Sequence, residues 1–157
     1  ALKEACENFV ESRITEGERL KEDLFDKLDG MIKDVDAIEN RYPQIMAEYR
    51  EKLTMKVEEL LGDAQMEEGR IAAEVILFAD KICTDEETVR LRSHIESMRE
   101  ELLSGGSVGR KLDFLAQEMN REANTILSKA NDLETSNRAI NLKTEIEKVR
   151  EQIQNIE

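Results

Sequence analysis

The sequence predicts an all-α fold of long antiparallel helices. Three observations carry this. There is one proline and there are seven glycines in 157 residues, too few breaks for short elements. Aromatic residues make up 4% against 38% charged, the balance of long helices rather than of a β fold. Apolar residues recur at alternating steps of four and three along most of the chain. The expected layout is a coiled-coil-like elongated arm over residues 1–62, followed by a compact C-terminal helical bundle over 63–157.

In the arm, Leu24, Leu28, Met31, Val35, Ile38, Tyr42, Ile45 and Tyr49 form one seam, either of a coiled coil or of a narrow packing stripe. Pro43 lies inside it. Two readings stay open: a helical hairpin with Pro43 opening the second helix, or a single kinked helix, since the seam stays in phase across it. Gly62-Asp63 closes the segment. A third helix is expected over 64–82, with Ile71, Val75, Ile76, Leu77, Phe78, Ala79 and Ile82 buried on more than one side. Thr84 and Glu87 have capping-box spacing and open a helix to about Leu103, with a stripe of Leu91, Ile95, Met98 and Leu102. The Gly105-Gly106 break precedes a helix over 109–129. Asp132 is the expected N-cap of the last helix, whose stripe is Leu142, Ile146, Val149, Ile153 and Ile156.

Composition excludes several functions. The net charge is −13, which opposes phosphate binding over the surface as a whole. Residues 109–129 differ, with Arg110, Lys111, Arg121 and Lys129 against Asp113, Glu118 and Glu122. That segment carries one positive charge in excess, so the acidic load lies elsewhere and any anion groove is local. Cys6 and Cys83 make no disulfide framework, and reduced thiols in a cytoplasmic protein are expected. No apolar run is long enough for a membrane; the best, Ile71 to Ala79, is broken by Glu74. There is no zinc-spaced Cys/His cluster, phosphate-cradling glycine loop or nucleophilic triad.

The helix over 109–129 organises the chain. One side carries Leu112, Leu115, Ala116, Met119, Ala123, Ile126, Leu127 and Ala130, a core stripe expected to meet Ile95 and Met98. Opposite runs a strip of Arg110, Asp113, Gln117, Arg121, Asn124 and Ser128, with Lys111, Glu118, Glu122, Thr125 and Lys129 beside it. Plain solvated faces carry interchangeable Glu and Lys; this strip mixes groups of defined binding geometry. Guanidinium groups clamp phosphates with paired hydrogen bonds. Glu118 and Glu122, one turn apart, can converge on one divalent ion, with Asp113 as a further ligand; oxygen donors suit Mg²⁺ or Mn²⁺. The plain alternative is an ion-pair network of Arg110 with Asp113, Arg121 with Glu118, and Lys129 with Glu122 of a neighbouring turn or subunit. Phe114, the one aromatic of this stretch, is expected to be buried beside Leu115, with base stacking as the other reading. His94, the only histidine, is the side chain type that exchanges a proton near neutral pH. On these residues alone the chain reads as a helical oligomerisation or interaction module.

The run GRKLDFLAQEMNREANTILSK, with the ending LKTEIEKVREQIQNIE and the upstream EVILFADK and ETVRLRSHI, resembles the C-terminal signature of the bacterial YicC/YloC family of endoribonucleases. The match runs from about Arg70 onward. The resemblance implies a cytoplasmic endoribonuclease that cleaves single-stranded RNA with help from a divalent ion, Mn²⁺ or Mg²⁺. It implies a homo-oligomer and a further N-terminal domain that this chain lacks. It also implies roles: His94, Arg110, Arg121 and Glu122 as catalytic, Arg90, Lys111, Gln117, Asn124 and Lys129 as RNA contacts, and Asp113, Glu118 and Glu122 as metal ligands. The non-catalytic helical module is the alternative function.

Overall fold

The computed structural model describes residues 2–62, 68–106 and 108–154. Those residues form five α-helices and no strand: α1 (Leu2–Leu61), α2 (Glu68–Ile82), α3 (Asp85–Ser104), α4 (Gly109–Lys129) and α5 (Leu133–Ile153). The all-α expectation holds.

Four of the helices close a bundle. α4 packs on α3 and α5, and α1 packs on the same two. Cross-helix pairs give the directions. Arg92 meets Asp36 and Glu39, and Arg99 meets Asp29, so α1 and α3 run antiparallel. Arg138 meets Asp34, Lys27 meets Glu145, and Arg41 meets Asp132, so α1 and α5 also run antiparallel. α4 therefore lies diagonal to α1 and parallel to it, an up-down arrangement.

The periodic stripes meet at the centre. Leu112, Met119, Ala123 and Ile126 are fully buried, as are Ile95 and Met98. Leu24, Leu28, Met31, Val35 and Ile38 of α1 join Leu142, Ile146 and Val149 of α5 in the same cluster. Asp34 is buried at the α1–α5 contact, where Arg138 and Asn141 both donate to its carboxylate; a buried carboxylate without such donors would be costly.

Of the two readings of Pro43, the single helix holds: α1 continues through it to Leu61. Proline lacks the N–H that would bond the Glu39 carbonyl, but the seam on both sides is anchored, with Ile38 and Ile45 buried. Beyond Pro43, α1 and α2 form a hairpin. The Tyr42 hydroxyl donates to the Ala79 carbonyl (3.2 Å), and the Tyr49 and Phe78 rings stack 3.7 Å apart.

Three expectations need correction. α2 is not buried on several sides: its main packing is on α1, leaving Ile76 61% and Leu77 64% exposed, with Ile82 buried. Thr84 is at the N-cap of α3 but makes no side-chain cap bond, and the Glu87 carboxylate, the other half of the expected capping box, accepts from Lys129. Asp132 likewise caps α5 by position only; its carboxylate accepts from Arg41 Nε (3.1 Å). The expected roles of Asp63, Ala64 and Ile156 lie outside the described residues. Lys3 to Arg19 of α1 are exposed, including Phe9, Val10 and Ile14. No described helix is long and apolar enough to cross a membrane.

Candidate functional site

α4 is fixed by its inward stripe, so its outward side chains are held on a stable ridge. Arg110, Phe114, Gln117, Arg121, Asn124 and Ser128 succeed one another at steps of four and three along that ridge, and none of them is buried. Phe114 is 58% exposed, against the expectation that it packs beside Leu115. The reason is angular. The buried stripe runs through Leu112, Leu115, Ala116 and Met119, and Phe114 lies on the opposite side of the wheel, in line with Arg110, Gln117 and Arg121.

On the α5 side of the ridge, Asp113 accepts from Arg150 Nε (2.9 Å) and from Gln117 (2.7 Å). The Arg150 guanidinium holds the Asp113 carboxyl below the usual aspartate range, against a smaller opposing effect of burial. Arg110 is thus not the partner of Asp113, and no ion pair involves it among the described residues.

On the α3 side, Arg90 faces Glu122 (3.9 Å) and also pairs with Glu86, while Lys111 pairs with Glu101. These two cross-helix pairs fix the antiparallel register, and that register brings His94 level with Glu118. His94 is half-buried in the seam, between Arg90 and Glu101 along its own helix. Glu118 is mostly covered and pairs with the exposed Arg121 (2.6 Å), as the plain network reading had it. Lys129 behaves differently from the other cations. Its ammonium donates to the Cys83 carbonyl and to Glu87, each at 2.9 Å, so it ties α4 to the α2–α3 junction rather than reaching outward.

The divalent ion expected above can be tested against this geometry. Asp113 lies on the α5 side, engaged by Arg150, while Glu118 and Glu122 lie on the α3 side, each facing an arginine. Among the described residues no three His, Cys, Asp or Glu side chains gather as an ion would need. The trio Asp113, Glu118 and Glu122 does not fit a shared metal site.

Residues 38–157 match the family model described as "Endoribonuclease YicC-like, C-terminal". The chain belongs to this family. The curated relatives agree: it is 43% identical over 158 residues to "Probable endoribonuclease YicC" of Clostridioides difficile and 36% identical over 157 residues to the protein of that name from Haemophilus influenzae. Each match takes in 100% of this chain and 54% of the relative. The chain thus spans about half the length of the curated relatives it matches.

In this YicC-like domain the ridge and the seam both fall inside the matched residues, as does every site residue expected from the sequence. Sequence reasoning misses two residues. Arg150 lies beside the apolar stripe of α5, and its contact with Asp113 depends on how α4 and α5 are aligned, which one helix's sequence does not encode. Phe114 is sent inward by its hydrophobicity, with base stacking only as the other reading, although its four- and three-residue steps from Arg110, Gln117 and Arg121 already mark it as outward.

Proposed function

We propose that this chain is the helical C-terminal half of an endoribonuclease that cleaves single-stranded RNA, and that the α3–α4 seam with the α4 ridge receives the scissile phosphate. What supports this is the register set by the Arg90–Glu122 and Lys111–Glu101 pairs, which puts His94 level with Glu118 on the helices that carry Arg90 and Arg121, inside the residues that match the family. An imidazole level with a carboxylate can pass a proton to or from a hydroxyl at the phosphate. Guanidinium groups then stabilise the charge that builds on the phosphoryl oxygens. Arg110, Lys111, Gln117 and Asn124 extend the contact along the strand. Whether water or the ribose 2′-hydroxyl attacks, the same side chains serve.

The proposal takes the protein to be a cytoplasmic homo-oligomer, completed by the other half that its relatives carry. A divalent ion belongs to the expectation by resemblance, but the candidate carboxylates Asp113, Glu118 and Glu122 are each engaged by an arginine. A purely structural role has one observation in its favour: Arg90–Glu122, Lys111–Glu101 and Lys129–Glu87 stitch α3 to α4 as ion pairs would in any bundle.

The test uses the full-length protein and a single-stranded RNA, with and without Mn²⁺ or Mg²⁺. His94→Gln and Arg121→Ala are each expected to cut cleavage by about a hundredfold or more, the scale of a lost transition-state contact. Arg121 is exposed, so its removal should barely move the melting temperature. Variants that cleave at the wild-type rate per folded molecule would leave only the structural role.

A further inference from the structure

The ridge of α4 carries a feature that phosphate chemistry does not use. Phe114 stands 58% exposed on a helix whose apolar residues are otherwise turned inward. Its neighbours on the ridge are polar: Arg110 one turn before, Gln117 one turn after and Arg121 two turns after. Along the axis, Phe114 lies about 6 Å from Arg110 and about 10 Å from Arg121. An exposed apolar patch facing another apolar surface would be continuous; this one is a single ring set between cations and an amide.

The charges around the ring are also arranged. The three carboxylates of α4 are each met by an arginine: Asp113 by Arg150, Glu118 by Arg121 and Glu122 by Arg90. The repulsion that a chain of net charge −13 would exert on a polyanion is thereby reduced at this ridge. Arg110, with no ion pair among the described residues, is left to face an incoming phosphate. Such a cation–aromatic–amide–cation series is the pattern on which single strands lie, with backbone on the cations and a base on the ring.

We propose that Phe114 is a stacking platform for one unpaired base of a single-stranded RNA, with Arg110 and Arg121 contacting the backbone on either side. This rests on the RNA reading above and adds a subsite to it. An aromatic face accepts any base, so the platform selects for unpaired strands rather than for sequence. A duplex, whose bases are stacked on each other, has no free face to offer.

The chain has no tryptophan, so Phe114→Trp is a reporter at one known place. Titrated at low salt with a short single-stranded RNA, its emission should be quenched saturably, and much less by the duplex of the same sequence. Phe114→Leu should weaken binding of the labelled single strand by at least about fivefold, while Phe114→Tyr binds as wild type. Both variants should melt as the wild type does, since the ring is exposed. If the wild-type chain binds RNA, but Phe114→Leu binds equally well and the indole emission of Phe114→Trp does not change, the platform is wrong and the RNA reading stands. If neither the wild-type chain nor the full-length protein binds RNA, both fall. If the emission shifts with protein concentration and ignores RNA, the ridge is instead a contact between copies of the chain, and the platform is again wrong.

Discussion

At the scale of single residues, the site is governed by which helix a side chain faces. Asp113 and Gln117 hydrogen-bond each other on α4, yet the stronger partner of Asp113 is Arg150 across on α5. That pairing has a pH signature. A carboxyl held below its usual range contributes stability that is fully present above its ordinary value of about 3.8 and is lost as pH falls through the lowered one. Asp113→Asn should therefore be less stable than wild type at pH 6, with the gap narrowing as pH falls below 3.8, as urea midpoints across that range will show. The effect should be small, because the pair is about a third exposed and solvent screens it. A constant gap across that range would mean that the charge of Asp113 has no part in it. Much of the site was legible at this scale. The outward placement of Arg110, Gln117, Arg121 and Asn124 follows from helical period alone. The partners of Asp113 and Lys129 do not, since Arg150 and Glu87 are chosen by the packing register of neighbouring helices.

At the scale of elements, local chemistry and tertiary packing disagree in α1. Proline inside a helix removes one backbone bond and crowds the preceding turn, a cost of about 3 kcal/mol relative to alanine. The helix nevertheless runs on, because Ile38 and Ile45 are buried on either side of Pro43 and Tyr42 is tied to Ala79. Pro43→Ala should raise the melting temperature, by an amount that corresponds to no more than about 3 kcal/mol. A variant that melts lower would show that the proline ring itself makes a needed contact. Periodicity leaves hairpin and kinked helix open for a physical reason: the balance is struck by burial against α3 and α5, which are distant in the chain. α2 misleads for a related reason. Its apolar residues exceed what one neighbour can cover, so strong hydrophobicity there does not mean burial.

At the scale of the whole molecule, the bundle takes up only part of α1. Phe9, Val10 and Ile14 at one end, and Met55, Leu60 and Leu61 at the other, stay exposed in the single chain. Apolar residues at both ends of so long a helix favour association. Light scattering across the micromolar range should give a mass above the 18.1 kDa of one chain; a constant monomer mass would count against the oligomer. The same geometry has a mechanical side. The α1–α2 hairpin joins the bundle at one level, through Pro43 on one helix and Cys83-Thr84 after the other, and the Tyr42–Ala79 bond and the Tyr49–Phe78 stack brace it near that base. From Pro43 to Leu61 the hairpin extends about 27 Å, so a tilt of about 10° at its base carries its tip through about 5 Å. Whatever grips that tip holds a lever, and a modest pull there is delivered to the bundle beside Asp132 and Arg41, at the start of α5.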